Sequence, residues 1–399
     1  MELKRRHVLA AVAGNALEFY DFTTYAYFAI QIGHTFFPSK SAFTELMLTL
    51  LTFGGGFIMR PIGAAVIGRY ADSIGRKPAM MLCFALMGAG VLGIALTPSY
   101  ASIGPMAPLI VVLIRLIQGF ALGGDVGPTT SFLMEASPPE KRGFYGSLQF
   151  ASQGLATVLA GLIGVILANI LTDAQLTAFG WRIALGLGAL VIPIGLFLRR
   201  SVPETLHEAV STSVKTDRKD LWRVAIAGLL IIMGSTTSFY TLAYMSTYAQ
   251  TILHMKANVS FAATLVFGIC NVIFSSWAGI LSDRYGRKPL MLWPRIGLFV
   301  VTWPAFILIA QVSSPIALLV ATAVMAAFAQ SGGAVSLVAI TEALPAHIRS
   351  MTMATIYAVG VAVFGGTTQP ILLWLLHVTG DRFAPAWWMM GTTVICIAA

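Results

Sequence analysis

The sequence predicts an all-α membrane protein of twelve transmembrane helices in two pseudo-symmetric six-helix bundles. Three observations carry that expectation. The 399 residues are 57% hydrophobic and only 10% charged, with a mean hydropathy of +0.82, whereas a soluble domain carries about 25% charged residues. Apolar stretches of about 20 residues, long enough to cross a bilayer as helix, recur along the whole chain. Finally, GRYADSIGRKP, beginning at residue 68, returns as GILSDRYGRKP at 279, and EASPPEKRG at 135 returns loosely as EALPAHIRS at 342. A period of half the molecule is what a duplicated bundle produces.

Lipid offers the backbone no hydrogen-bond partner, so the spans should be helical; the alternating pattern of a membrane barrel is absent. They read as residues 8–36, 44–68, 79–98, 106–134, 144–170, 180–198, 222–252, 259–281, 290–311, 315–342, 351–377 and 385–399. The twelfth is short, and the native C-terminus is expected beyond it. Residues 199–221, rich in charge, Ser and Thr, read as a cytoplasmic linker between an N-terminal bundle, 1–198, and a C-terminal bundle, 222–399.

The net charge of +9 could suggest nucleic acid, but its distribution excludes that reading. Arg60, Arg115 and Arg295 fall inside spans, and Lys40, Arg182, Lys256 and Arg382 lie on the side opposite the N-terminus. The remaining Lys and Arg lie on the N-terminal side. By the positive-inside rule both termini are cytoplasmic, and the natural electrostatic partner is anionic membrane lipid. Lys4, Arg5 and Arg6 before an apolar run resemble a secretory signal, but Asn15, Glu18 and Asp21 interrupt the run, so it reads as a retained first helix. The three cysteines, Cys83, Cys270 and Cys396, fall within spans, where neither disulfide nor metal chemistry is expected. No cofactor is called for.

Helix 1 carries the clearest polar signal. At 100° per residue, Asn15, Glu18, Asp21, Phe22 and Tyr25 fall within a sector of about 120°. An acid at the bilayer centre costs about 2.5–3.5 kcal/mol on insertion scales, so two of them imply a protein-lined, wet cavity; interhelical packing is the alternative. Helix 4 adds Arg115 and Gln118 on one face at i, i+3, with Asp125 about 15 Å further along. Arg115 is the best fixed cation for a carboxylate because its planar fork matches that group. Helix 5 adds Gln149 and Gln153, and helix 7 places Thr236, Thr237, Tyr240 and Tyr244 on one sector. Interfacial anchoring of the outer tyrosines, Tyr248 especially, is the competing account. Asn271, Gln330, Ser331, Tyr357, Thr367, Thr368 and Gln369 are weaker polar candidates. Gly365, Gly366 and Pro370 mark a bend in helix 11. Arg60, eight residues before Gly68, is expected to snorkel towards the cytoplasm in a structural role. Tyr20-Asp21 and Gly124-Asp125 invite comparison with intramembrane aspartyl proteases, but Leu122 stands where the first glycine of a GxGD motif must be.

The duplicated GxxxDxxGRKP stretches, the twelve spans and the long central connector resemble the major facilitator superfamily over essentially the whole chain. The resemblance implies two conformational latches. Asp72, with Gly75 and Arg76, would receive the N-terminal end of helix 11, and Asp283, with Gly286 and Arg287, that of helix 5. Ser73 departs from the basic residue usual there, so the first latch would be weaker. GNALEFYDF (14–22), MRPIG (59–63) and RLIQGFALGGDVG (115–127) are similar to the metabolite:proton symporter branch, in which Asp125 replaces a common Glu. HTFFPS (34–39), residues 181–201 and TGDRFAPAWWMM (379–390) are most similar to citrate and tricarballylate carriers. The resemblance thus implies a transporter, not an enzyme. It would be a monomeric importer in the bacterial cytoplasmic membrane, taking up a di- or tricarboxylate with protons by alternating access around a midplane site. A proton symporter for a zwitterionic osmolyte such as proline or betaine, or for another acid such as 2-oxoglutarate or shikimate, is the alternative. Substrate binding falls to Arg115, Asn15, Gln118, Gln149, Gln153, Tyr240 and Tyr244, and proton coupling to Asp21, Glu18 or Asp125.

Overall fold

A computed structural model describes residues 5–74, 76–123, 133, 137–189, 218–344 and 349–399. Among these the chain is helical apart from short turns and connectors, with no strand. In the first half the helices are α1 (Arg5–Tyr27, continuing as Ala29–Phe36), α2 (Ala42–Ile58 and Arg60–Ile74), α3 (Arg76–Leu96), α4 (Met106–Gly123), α5 (Arg142–Ile170) and α6 (described over 181–189). The second half holds α7 (Arg218–Thr251), α8 (Ala257–Tyr285), α9 (Arg287–Val312), α10 (Pro315–Ala343), α11 (Arg349–Gly360 and Gly366–Thr379) and α12 (Ala384–Ala398). Eight of the described helices are long and apolar enough to cross a membrane, and the 81–96 and 384–398 stretches are shorter apolar ones. The polar stripe of α1 keeps it out of that set.

Local chemistry explains the interruptions. At Phe28 the ladder is kept, because Phe28 N donates to Thr24 O and Ile32 N to Phe28 O, so α1 remains one rod. In α2, Pro61 has no N–H to give the preceding turn, and the helix breaks for one residue at Met59, whose N–H reaches Gly56 O, three residues back, at 3.3 Å. In α11 the π-helical turn Val361–Gly365 falls just where Gly365, Gly366 and Pro370 indicate a bend.

The duplicated GRKP stretch is tighter than the loop the sequence suggests. Residues 279–285 finish α8 and 287–289 begin α9, so Gly286 alone makes the turn. Its φ of 89° and ψ of 168° lie where only glycine sits without strain. The equivalent Gly75 lies outside the described residues.

The two halves meet along two long helix pairs. On α5, glycines 154 and 161 face the α8 backbone at Val272 and Leu265; on α8, Gly268 faces Val158 of α5. Added Cβ atoms would strike those neighbours, and small residues of this kind let membrane helices approach closely. Gly54 of α2 and Gly366 of α11 form a second backbone-to-backbone approach. Contact persists to both ends. At the end opposite the GRKP turns, Phe43 stacks on His377 with ring centroids 4.0 Å apart, and Asn258 Nδ2 donates to Asn169 Oδ1 at 3.3 Å. At the GRKP end the contact is polar and is described below.

Candidate functional site

The α1 stripe points inward. Asn15, Glu18, Asp21, Phe22 and Tyr25 are all buried. Gln118 Nε2 donates to Asp21 Oδ2 at 2.6 Å, while Arg115 Nη1 stands 3.5 Å from the same oxygen. Charge-assisted bonds of this type normally close to about 2.7–2.9 Å, so Gln118, not Arg115, holds the carboxylate. Arg115 is fully buried; its Cζ lies 3.8 Å from the Tyr25 ring centroid. Its Nε and Nη2, and Asp21 Oδ1, have no hydrogen-bond partner among the described residues. The pair is thus close, buried and only partly engaged, which suits a site where a third group competes. Glycines set it: Gly90 of α3 lies against the Gln118 side chain, and Gly56 and Gly119 let α2 and α4 touch backbone to backbone.

The other candidates form neighbouring clusters. Asn15 Nδ2 donates to Ser152 Oγ at 2.6 Å and Gln149 Nε2 to Asn15 Oδ1 at 3.1 Å, tying α1 to α5. Gln153 Nε2 reaches Tyr357 Oη at 3.5 Å across the two halves. Tyr240 packs edge-on against Phe57, centroids 5.4 Å apart. The Tyr244 hydroxyl has no partner among the described residues. Tyr248 is no interfacial anchor: it is buried and its hydroxyl donates to Arg382 O at 2.9 Å.

Arg60 is also misplaced by the sequence reading. It is 1% exposed and stays inside the bundle, its Cζ 4.3 Å and 4.8 Å from the Phe57 and Phe22 ring centroids. Arg295 of α9 is buried too, yet its Nη1 and Nη2 donate to Gly234 O and Ser235 Oγ.

At the GRKP end, Asp283 accepts from the backbone amides of Gly143 and Phe144, at 2.7 Å and 2.9 Å, on the first turn of α5. The orphan amides of a helix N-terminus suit an anion. Arg287 Nη1 donates to Asp283 Oδ1 at 2.8 Å, while its Nε and Nη2 grip Glu342 at 3.0 Å and 2.9 Å. Glu342 was missed as a partner, although it opens the recurring EALP segment. Asp125 and Gly75 lie outside the described residues, as do the side chains of Asp72 and Arg76. Among the described residues no three His, Cys, Asp or Glu side chains converge as metal ligands.

The buried acid and the half-engaged arginine thus face each other across α1 and α4, and similarity identifies the family. The sugar (and other) transporter family matches residues 7–211 and again 204–397. The chain belongs to that family. It is 36% identical over 400 residues to the citrate-proton symporter of Salmonella typhi, covering 98% of this chain and 92% of the relative. It is 34% identical over 401 residues to the alpha-ketoglutarate permease of Escherichia coli K12, covering 97% and 91%. With the proline/betaine transporter of Salmonella typhimurium it shares 30% over 411 residues, covering 98% and 81%. Among solved structures, the partially occluded inward-open xylose transporter XylE of E. coli superposes with a TM-score of 0.80 at 18% identity, covering 98% of this chain and 96% of that one. The fold is therefore that of the major facilitator superfamily, and the chain is a multi-pass membrane transporter.

Proposed function

We propose that the chain imports a di- or tricarboxylate, citrate or tricarballylate-like, together with protons across the bacterial cytoplasmic membrane, with both termini inside. The observation that carries this reading is the Asp21–Arg115 pair, held at 3.5 Å by a glutamine that takes the acid's better bond. When Asp21 takes up a proton, its claim on Arg115 ends, and the guanidinium turns its unused donors on a substrate carboxylate. When Asp21 loses the proton, it competes with that carboxylate and favours release. Asn15, Gln118, Gln149, Gln153, Tyr240 and Tyr244 supply neutral donors; Glu18 and Asp125 are further proton carriers. The likeness to a citrate-proton symporter supports the same substrate class.

Alternating access follows from the two latches. Asp283 with Gly286 and Arg287 holds the first turn of α5 and so closes the GRKP face; Asp72, Gly75 and Arg76 would serve α11 in the same way. The halves, 1–198 and 222–399 joined by 199–221, rock about the central site, and one chain suffices.

A zwitterion symporter is the second reading, favoured by the proline/betaine relative and by the opposed charges of Asp21 and Arg115. Counterflow in proteoliposomes with labelled citrate, tricarballylate, 2-oxoglutarate and betaine, with and without an imposed pH difference, separates the two. Exchange of the polycarboxylates, accumulated only when the outside is acidic, is expected. Exchange of betaine alone would refute the anion reading.

A further inference from the structure

Arg60 has an environment that its own fold does not explain. A guanidinium stays protonated in proteins, and withdrawing such a charge from water is costly even after relaxation. The Phe22 and Phe57 rings, 4.8 Å and 4.3 Å from the Arg60 Cζ, return only part of that cost. No acceptor among the described residues lies within hydrogen-bonding distance of Nε, Nη1 or Nη2. The same protein shows how it satisfies a structural arginine: Arg295 is given a carbonyl and a hydroxyl. Arg60 is given neither.

Packing holds it there. Gly63 and Gly123 bring α2 and α4 together so closely that Gly63 faces the Phe120 carbonyl and Gly123 that of Arg60 itself. Arg60 is therefore fixed on the N-terminal half. Its aromatic neighbour Phe57 packs edge-on against Tyr240 of α7, in the second half, with ring centroids 5.4 Å apart. The cation thus faces the seam that must part during transport. It also faces the site already described, because the centroid of one ring, Phe22, lies 4.8 Å from the Arg60 Cζ and 5.8 Å from the Arg115 Cζ.

We propose that Arg60 is a second carboxylate subsite, so that a substrate bearing two or more carboxylates spans Phe22 from Arg115 to Arg60. This rests on the organic-anion reading above and sharpens it. A monocarboxylate or a zwitterion satisfies one cation only, whereas a di- or tricarboxylate satisfies both. Selection then follows from the cost of leaving a buried cation unmatched, with Tyr240 and Tyr357 as hydroxyl donors closing on the substrate from the other half.

The test uses the full chain in detergent and in proteoliposomes, with Arg60→Met and Arg60→Lys. Citrate and tricarballylate are the polycarboxylate probes and pyruvate the monocarboxylate. In Arg60→Met, citrate and tricarballylate bind about tenfold more weakly or worse, as loss of one charged hydrogen-bonded contact requires, and any pyruvate binding is unchanged. Arg60→Lys, a point charge in place of a fork, falls between the two. The melting temperature without substrate stays equal or rises in Arg60→Met, because an uncompensated buried charge has gone, while the citrate-induced rise shrinks. Citrate affinity within twofold of the parent overturns the subsite, as does a lowered melting temperature without substrate, which would mark a packing role. Failure of the parent chain to exchange any organic anion is a different result: it refutes the anion reading itself.

Discussion

Replacing Asp283 by Asn tests whether a charge on a helix end closes one face of the transporter. In the structure the two carboxylate oxygens take separate α5 amides, at 2.7 Å and 2.9 Å, and one also receives Arg287 at 2.8 Å. Asn keeps a single acceptor. It forfeits one charge-assisted hydrogen bond, about 1.5–3 kcal/mol, and the charge–dipole attraction of a partly buried helix N-terminus, up to about 2 kcal/mol. Arg287 keeps its two bonds to Glu342, which limits the damage to about 2–3 kcal/mol, a shift of roughly 30- to 150-fold in the open-to-closed ratio. Ser147 of α5 reports on it, being buried against Gly279 of α8 near that end. With Cys83, Cys270 and Cys396 replaced, maleimide labelling of Ser147→Cys should quicken by about that factor when Asp283→Asn is added, since rate follows the population open. A rate within twofold of the Asp283 parent would refute the latch.

Three further outcomes follow from the central site and its packing. Arg115→Gln should abolish carboxylate uptake with no loss of folded protein in size-exclusion chromatography, because its charge partner among the described residues, Asp21, retains Gln118; normal uptake would remove Arg115 from the mechanism. Asp21→Asn should preserve counterflow but end accumulation driven by an acid exterior, and persistent accumulation would move the coupling proton to another acid. Gly119→Val should lower the melting temperature by several degrees or prevent folding, since its side chain would meet the Gly56 backbone of α2 and force two packed helices apart; an unchanged melting temperature would show that the pair can part at no cost.

What was legible in the sequence was whatever depends on one helix at a time. The α1 stripe follows from a step of 100° per residue, and the structure buries all five of its members. Hydropathy places the helices, although it cannot see that α8 and α9 run on through the basic repeat until Gly286 alone separates them. The Asp21–Gln118 bond, by contrast, needs the rotation of α4 against α1, which is set by Gly56, Gly90 and Gly119 acting between helices. Arg60 was misjudged for the same reason. Its distance from the helix end allowed snorkelling, but the break at Met59 and the contacts of Gly63 and Gly123 turn it inward. Glu342 announced itself by repetition; that Arg287 was its partner depends on how α9 meets α10.

On the proposed reading, the buried charge that faces the seam gives the two halves different roles. Glu18, Asp21, Arg60 and Arg115 lie in the first half on α1, α2 and α4, whereas the second half's facing helices offer Thr237, Tyr240, Thr241, Tyr244 and Tyr357, all neutral and buried. A cation moved through low dielectric would have to drag its solvation cost along each time the seam opened, and keeping Arg60, Arg115, Glu18 and Asp21 on one bundle would avoid that. The neutral half is then free to rock, since parting a hydroxyl from a bound anion costs about 1 kcal/mol per contact where parting an ion pair costs several. Transport on this scheme needs the acids to change protonation and the hydroxyls to change partners, and each half does only one of these.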